Sequence, residues 1–496
     1  MSQFLALFRD RLLAGTFGVD VSLDVYYAAF RIPDLLFFSV ASLFSSAVVI
    51  PFFIQKLEKS EESASVLLAS LVRVFGIIMV PILVCAWIAM PVLAPLAAPG
   101  FGTAEQELLV SLSRVLLLSP MLLGLSGIIS GAVQAMRYFL LYSLAPILYN
   151  IGIIVGIFFL VPKFGVVGVA WGVALGALLH LLIQIPALSQ RGLRMVGGAV
   201  TRDVDRVIMT SLPRTLALSL TQLQMIILTA IASLFAAGSI AAFQFAFNLQ
   251  SIPLSLVGVS YSIAAFPALA SFWAKKQNVQ FADAVIRARG HILVWSVLLS
   301  VVFVLLREPI VSVVLGVQGV SPEEISLIAN TMALFAFSLA PQGIVLLYTR
   351  VFYAAGKTAI PLVINIISVS SALLLSFVLL KSSTDLYILP ISFSAGMFLN
   401  AVLLVLFARI KLEVVAVKKI AVHLGISVVF ATAIVMLVHP IFLGFIGKEA
   451  LVQEFFSAFV AGMSALASAI LYLYMAGVNP AVELVHLIKQ KMTPRK

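Results

Sequence analysis

Residues 140–160 read LLYSLAPILYNIGIIVGIFFL, an uncharged apolar run between two short polar breaks. An α-helix needs about 20 such residues to cross the hydrocarbon core of a bilayer, which is about 30 Å thick. Similar runs recur along the whole chain. Because helices satisfy all their backbone hydrogen bonds internally, the pattern predicts a polytopic membrane protein built from α-helices.

The composition of the chain fits the same class. Hydrophobic residues make up 62% of the 496 residues, charged residues make up 10%, and the mean hydropathy is +1.17. Soluble globular domains carry about 25% charged residues. The chain is therefore expected to be embedded in a bilayer.

Thirteen polar breaks divide the chain into fourteen predicted spans, which makes the predicted fold class an all-α protein of about fourteen transmembrane helices. The breaks fall near residues 18–24, 55–64, 98–106, 136–139, 161–166, 190–212, 236–239, 273–290, 307–324, 355–360, 381–386, 409–420 and 446–451.

The basic residues of the loops predict the orientation. With the N-terminus in the cytoplasm, the inside segments hold 20 of the 31 Lys and Arg residues, and the outside loops hold only Lys163, Arg307, Lys381 and Lys448. Loops rich in Lys and Arg stay on the cytoplasmic side. Both termini are therefore predicted to be cytoplasmic.

The net charge and the Cys and His content of the chain disfavour several classes of function. The net charge of +11 follows from cytoplasmic loops and calls for no nucleic-acid partner. The single Cys85 excludes a disulfide within the chain, and the five His residues lack metal-ligand spacing. No nucleophile with a base and no phosphate-binding loop is evident, so we expect no enzyme, no metal and no cofactor.

Seven arginines, and no lysine, lie inside the predicted spans. An ionisable side chain at membrane depth is costly and usually faces the protein interior or a watery cavity. Guanidinium grips phosphate through two hydrogen bonds, so the pattern favours a transporter. The seven are Arg9, Arg11, Arg31, Arg73, Arg114, Arg214 and Arg350.

The first two predicted spans concentrate opposite charges. Arg9 and Asp10 lie in the first, and Asp24, Arg31 and Asp34 lie in the second. On a helix, Asp24 and Arg31 share a face, and Arg31 and Asp34 are i, i+3 neighbours. Two interpretations stay open: a charge-pair lock between helices, since an unpaired buried ion is very costly, or a cavity in which Arg9 contacts a phosphate.

A weak internal repeat joins the two halves of the chain. The stretch beginning at Pro99 is echoed by the stretch ending at Pro341, with 218 residues between Thr103 and Ser321. Each stretch runs from a glycine-containing outside loop into a long helix. Thr103 with Glu107, and Ser321 with Glu324, are the predicted helix-start signals.

The repeat predicts two related six-helix lobes about a central cavity, because many transporters enclose a site between duplicated halves. Arg114 and Arg350 lie on the paired helices of the repeat, where each is a candidate gating or structural residue, as is Asp34. The predicted regions are an N-lobe at 1–190, a cytoplasmic linker with an amphipathic helix at 191–212, a C-lobe at 213–412, and two further spans with a basic tail at 413–496.

Seven motifs keep the order and spacing of one known family: LFRDRLLAGTFG, LDVYYAAFRIPDLL, YSLAPILYNIGIIVG, QIPALSQRGLR, LPRTLALSLTQLQ, LREPIV and RVFYAAGKTAIPLVI. From residue 2 to about residue 412, the chain resembles the MurJ/MviN lipid II flippases of the MOP exporter superfamily. The resemblance implies two lobes about a central cavity, a groove for the lipid tail formed by the last two helices, and a place in the bacterial cytoplasmic (inner) membrane.

The resemblance also implies the substrate-binding residues. Arg9, Asp10, Asp24 and Arg31 match charged positions of the family in its first two helices. The implied cargo is an undecaprenyl-pyrophosphate-linked disaccharide-pentapeptide, moved from the inner to the outer leaflet for peptidoglycan synthesis. Membrane lipids and cell-wall synthesis enzymes are further partner classes.

The chain departs from the family at other cavity positions. Two expected arginines read Phe37 and Phe38, an expected glutamate reads Ser42, and an expected arginine in the eighth helix reads Asn248, which we keep as a substrate-binding candidate. Leu228 stands where some members have a sodium-binding acid, so no sodium site is supported. Membrane potential is the expected driver, at about 2.3 kcal/mol per charge per 100 mV.

Three hypotheses follow. The leading one is a lipid II flippase that works by alternating access, with Arg9 on the phosphate. Because the missing arginines remove countercharge from a dry cavity, the alternative is a flippase or exporter of another lipid-linked glycan or small molecule on the same scaffold. The third is a membrane scaffold that recruits cell-wall enzymes and transports nothing.

Overall fold

The computed structural model describes residues 2–44, 46–193, 201, 203–412, 414, 419–445 and 450–492. Within these ranges the chain is almost entirely helical and has no strand, which confirms the all-α prediction. Two compact units are formed, Met1–Ala241 and Ala242–Lys496.

The helices follow one another with short connections. The helices α1–α12 are, in order, Ser2–Phe17, Val21–Ala29, Arg31–Val40, Ser46–Leu57, Glu61–Ala97, Thr103–Leu116, Leu118–Ala135, Phe139–Val155, Val161–Phe164, Val166–Leu182, Ile185–Gln190 and Asp203–Ala232. The helices α13–α23 are Ser239–Leu254, Ser260–Ala274, Asn278–Leu305, Arg307–Leu315, Pro322–Ala336, Leu339–Ala354, Ala359–Leu380, Ile388–Leu412, Lys419–Phe445, Ala450–Met475 and Asn479–Met492.

The described residues contain 12 helices long and apolar enough to cross a membrane, or 13 if the bent pair α17 and α18 forms one span. The remaining predicted span corresponds to α1. This helix has 16 residues, fewer than the roughly 20 that a span needs. The predicted count of fourteen is therefore not confirmed.

Both copies of the sequence repeat form a helix pair that is broken near its middle. The α6–α7 pair breaks at Leu117, and the α17–α18 pair bends by 44°. Pro120 and Pro341 each take the third position of the second helix. Proline lacks the N–H that would continue the helical ladder, so it favours a break just before it.

The two predicted helix-start signals have different outcomes. Ser321 caps α17 in a capping box, because its hydroxyl accepts the Glu324 N–H and the Glu324 carboxylate accepts the Ser321 N–H. The helix α6 begins at Thr103 as predicted, but Thr103 is not its cap. Gly102 is the N-cap of α6, Thr103 is already the first helical residue, and no side chain caps this end.

The segment after Thr201 also differs from its prediction. Instead of a separate amphipathic helix on the surface, α12 runs unbroken from Asp203 to Ala232 and passes over Pro213. It packs against α3 and α5 inside the first unit. For this reason the packing boundary at residue 241 lies beyond the predicted lobe boundary. Residues 194–200 and 202 of the predicted linker, and 493–496 of the predicted tail, lie outside the described residues.

A backbone-to-backbone crossing holds α8 against α10. A Cβ built on Gly152 would lie 2.3 Å from the Gly176 Cα, and one on Gly156 would lie 2.5 Å from the Gly172 Cα. Glycine at these four positions lets the two helices approach more closely than any side chain would allow. Such small-residue contacts drive helix association in membranes, where the hydrophobic effect supplies no preference between protein and lipid.

Aromatic side chains fill the interior of the second unit. Phe243 and Phe335 lie with ring centroids 5.3 Å apart, and Phe247 and Phe393 lie 5.8 Å apart at nearly right angles. Edge-to-face contacts of this kind stabilise an interior beyond the area that they bury.

Candidate functional site

Arg9 lies on α1 at the centre of a polar cluster in the first unit. Its Nε and Nη2 donate to Asp10 Oδ1 at 3.0 and 2.7 Å, and its Nη1 donates to Asn150 Oδ1 on α8 at 3.2 Å. Asn150 is oriented by the bond that its amide nitrogen donates to the Pro146 carbonyl. The Asp10 side chain is 4% exposed and that of Arg9 is 18% exposed.

This geometry leaves binding capacity on Arg9. Guanidinium has five N–H groups, and three of them are used by these contacts among the described residues. Asp10 balances the charge of Arg9, so the cation is tolerated in a largely buried position. Each remaining N–H group can donate to one phosphate oxygen, which is the chemistry expected of Arg9.

Asp24 is held by backbone amides. Its two carboxylate oxygens accept the N–H groups of Gly238 and Ala241, both at 2.7 Å, at the start of α13. Carboxylates are stabilised at helix N-termini, where N–H groups and the helix dipole point toward them. Within the described part of the chain, no arginine is a hydrogen-bond or ion-pair partner of Asp24. Of the two interpretations left open, a charge-pair lock through Asp24 therefore gains no support from its contacts.

Arg31 is buried on α3 and reaches across to α12. Its Nε donates to Thr229 Oγ1 at 2.7 Å, and Arg31 as a whole residue is 5% exposed. Asp34 follows on the same helix, one turn later, and is half-buried. Arg31 therefore acts as a polar link between two helices of the first unit.

Two hydrogen bonds between hydroxyl groups also join the segment that follows Arg31 to α12. Ser39 and Ser219 share a hydrogen bond of 2.9 Å, and the Ser42 hydroxyl donates to Thr215 Oγ1 at 2.9 Å. Ser42 is the position at which the family resemblance leads one to expect a glutamate. Here the hydroxyl bonds within the protein and carries no charge.

The positions of the two expected arginines are apolar packing positions. The Phe37 and Phe38 rings lie 5.1 Å apart in an edge-to-face contact, and Phe37 packs against the buried core of the first unit. A guanidinium in place of Phe37 would be placed among hydrocarbon side chains. At the positions where the family resemblance leads one to expect two arginines, this chain therefore has apolar packing.

Arg114 packs on an aromatic ring. Its guanidinium carbon lies 4.3 Å from the centre of the Trp87 ring, and its Nε donates to the Trp87 carbonyl at 3.1 Å. A cavity of about 440 Å³, with Trp171 and apolar side chains in its walls, lies beside it. The contacts of Arg114 are those of a cation–π pair between α5 and α6.

The other two sequence candidates lie in the second unit. Asn248 on α13 accepts a hydrogen bond from Gln244 Nε2 at 2.8 Å. Arg350 lies near the end of α18 and is half-buried. The structure thus brings Arg9 and Asp10 together and holds Asp24 and Arg31 in separate contacts of the same unit.

Sequence reasoning missed Arg289, which it assigned to a cytoplasmic loop. Arg289 lies on α15, is 7% exposed, and donates from Nη1 to the Tyr348 hydroxyl at 3.2 Å. It lines a cavity of about 820 Å³ whose walls come from α15, α18, α20 and α21 and from Phe337. The groove implied by the resemblance was assigned to the last two helices, yet of those two only α21 lines this cavity within the described residues.

The sequence matches a family model described as lipid II flippase MurJ over residues 13–473. This chain belongs to the lipid II flippase MurJ family. Among similar MurJ sequences, the lipid II flippase MurJ of Burkholderia cenocepacia is 26% identical over 435 residues, which are 82% of this chain and 81% of that protein. The probable lipid II flippase MurJ of Rhizobium tropici is 28% identical over 416 residues, covering 81% and 77% of the two chains.

Solved structures establish the same fold. A lipid II flippase MurJ in an inward closed conformation superposes with a TM-score of 0.78 at 19% identity, covering 96% of this chain and 98% of that one. An inward-facing multidrug resistance MATE family transporter of the MOP superfamily gives a TM-score of 0.71 at 16% identity, covering 83% and 95%. The chain therefore shares the fold of these two structures.

Proposed function

We propose that this MurJ-family protein moves lipid II from the inner to the outer leaflet of the bacterial cytoplasmic membrane by alternating access. The family match over residues 13–473 carries the proposal. The Arg9 cluster supports it, because a guanidinium with two N–H groups that bond to none of the described residues suits the pyrophosphate of the cargo. Both termini are assigned to the cytoplasm, on the distribution of Lys and Arg between loops.

The driver that we assign is the membrane potential. The cargo headgroup is anionic, and moving a negative charge outward is favoured when the inside of the cell is negative. Leu228 is fully buried and apolar at the position where some relatives are expected to carry a sodium-binding acid. Cell-wall synthesis enzymes are the protein partners that this role would bring to the same membrane.

A second cargo class has one observation in its favour. Phe37, Phe38 and Ser42 replace charged residues that the family resemblance leads one to expect, and the structure gives these side chains local apolar or hydroxyl contacts. A lipid-linked glycan with less phosphate charge would need less countercharge.

Complementation tests the two cargoes. The gene is expressed in bacteria depleted of their own lipid II flippase, and lipid II exposed on the outer leaflet is measured. Rescue of growth and of lipid II exposure is the result expected for the proposed function. Failure of a well-expressed and correctly inserted protein would reject lipid II and favour the second cargo class.

A further inference from the structure

The cavity beside Arg114 in the first unit shares no residue with the Arg9 cluster. Its walls come from α5, α6, α7 and α10, and it includes Leu117 at the break between α6 and α7. Trp87, Leu118 and Trp171 in its walls are each about half exposed. Because the described lining residues other than Arg114 are all hydrophobic, we expect the open side of this cavity to contact lipid and not water.

The guanidinium of Arg114 is held in a fixed position at this cavity. Its Nε donates to the Trp87 carbonyl at 3.1 Å, and its central carbon lies 4.3 Å from the centre of the Trp87 ring. The N–H groups on Nη1 and Nη2 bond to none of the described residues. Among the residues that the structure describes, no acidic side chain lines the cavity or forms an ion pair with Arg114. The site therefore offers a positive charge and a preorganised set of donors to a ligand.

The position of Trp87 on α5 gives the depth of the site. This helix has 37 residues and is about 55 Å long, whereas the hydrocarbon core of a bilayer is about 30 Å thick. Each end of α5 can therefore extend about 12 Å beyond the core. Trp87 lies about 15 Å before the end of the helix at Ala97, which places it near the boundary of the core. Tryptophan is enriched at this level, beside the lipid headgroups.

The apolar wall next to Arg114 has the depth of one leaflet. Val80, Val84 and Trp87 all line the cavity and follow one face of α5 at i, i+4 and i+7, over a rise of about 10 Å. One leaflet provides about 15 Å of hydrocarbon. A glycerophospholipid has its phosphate at the boundary of the core and its acyl chains within this depth, so one molecule matches both the cation and the wall. A diacylglycerol matches the wall alone.

We infer that this cavity binds a glycerophospholipid, with the phosphate on Arg114 and one acyl chain along Val80, Leu83 and Val84. Guanidinium donates charge-assisted hydrogen bonds to phosphate oxygens, and the phosphate balances a cation that has no acidic partner among the described residues. The outer leaflet follows from the orientation that is part of the proposed function, whereas binding itself does not depend on transport. The bound lipid would lie against the helix break at Leu117.

Quenching of tryptophan fluorescence by brominated lipids tests this site in the purified full-length protein. Trp273→Phe and Trp295→Phe leave Trp87 and Trp171, which both line the cavity, as the reporters. Phosphatidylglycerol with brominated acyl chains and the diacylglycerol with the same chains are titrated in a maltoside detergent. The phospholipid should reach half-maximal quenching at an about fivefold lower mole fraction, since one arginine near a membrane surface attracts an anionic lipid at that level.

Matched variants separate the phosphate contact from the apolar wall, with each variant normalised to its own unquenched fluorescence. Arg114→Gln should remove the difference between the two lipids by weakening the phospholipid alone. Arg73→Gln, at an exposed arginine of α5 outside the cavity lining, removes the same charge and should keep the difference. Val84→Phe fills the wall and should weaken both lipids alike, whereas Ile88→Phe, at an exposed position outside the lining, should weaken neither.

Equal half-maximal mole fractions for the two lipids in the protein that keeps Arg114 would overturn the site. Equal effects of the Arg114 and Arg73 variants would overturn it too. If Arg114→Gln does not fold, the comparison of the two lipids still decides. If the reporter protein does not fold, native mass spectrometry of bound phosphatidylglycerol compares the wild type with the two arginine variants. None of these measurements involves transport, so failed complementation would leave the site standing, and loss of the site would leave the proposed function standing.

Discussion

Asp24 accepts a hydrogen bond of 2.7 Å from the backbone N–H of Gly238, across 214 residues of sequence. Gly238 has a φ of +87°, and a Cβ built on it would lie 2.2 Å from the Val19 carbonyl oxygen. Glycine is therefore required here both for the left-handed backbone and for the close approach. The bond ties the start of α2 to the loop that precedes α13.

Asp24→Asn should lower the thermal stability of the purified protein. The substitution keeps the shape of the side chain, but the amide carries no charge and its nitrogen cannot accept the second N–H, so one hydrogen bond is lost and the other is weakened. Charge-assisted hydrogen bonds contribute about 1.5–3 kcal/mol each. Thermal unfolding followed by fluorescence-detected size exclusion measures the change. Asp385→Asn, at an exposed carboxylate, serves as the control, and equal midpoints for the two variants would contradict the prediction.

Gly176→Val should prevent α8 and α10 from packing. A Cβ at this position would lie 2.3 Å from the Tyr149 carbonyl oxygen, which is backbone and cannot turn aside. We expect the yield of monodisperse protein to fall severalfold. Gly127→Ala, on α7 with nothing within 4 Å of the added Cβ, should behave like the wild type. A well-folded Gly176→Val protein would show that the helices do not cross at this distance.

Arg9→Ala should abolish lipid II transport while leaving membrane insertion intact. The guanidinium is the group that we assign to the pyrophosphate, and Asp10 and Asn150 hold it in place. Arg9→Lys keeps the charge but loses the fork, so its flux should be intermediate. Flux is read from lipid II exposed on the outer leaflet of depleted cells. Normal flux in Arg9→Ala would remove Arg9 from the binding site.

Arg114→Gln tests the gating role predicted from the repeat. Its contacts with Trp87 lead us to expect a shift in Trp87 fluorescence and a loss of about 0.5–1 kcal/mol in stability, with flux within twofold of wild type. Single-tryptophan variants isolate the Trp87 signal. A large loss of flux at unchanged stability would instead support a gate at Arg114.

Some features of the fold were predictable because their causes are local. The apolar runs give helices, and the Ser321 and Glu324 pair starts α17 as predicted, because a capping box depends on four consecutive residues. The start of α6 at Thr103 was also predicted, but its cap, Gly102, was not. A glycine N-cap has no side chain that could serve as a capping signal in the sequence.

The contacts of the candidate site were less predictable. The partners of Asp24 are backbone amides of residues 238 and 241, and sequence patterns cannot identify such partners at that separation. The sequence did not reveal that Arg289 is buried. The nearby Arg287, which is exposed in the structure, made the segment resemble a cytoplasmic loop. The missed signal was periodic: Arg289, Leu293 and Val297 fall on one helical face.

The glycine crossing of α8 and α10 limits how the first unit can change shape. Where two helices touch through their backbones, no side chain can change rotamer to let one helix slide past the other. The pair is therefore expected to move as one rigid body. Bending is then expected where the regular helical hydrogen bonds are interrupted, for example at the 3-10 turn Ala41–Phe44. Hinges of this unit are therefore expected at such breaks, one of which lies in the second span beside the residues that bind α12.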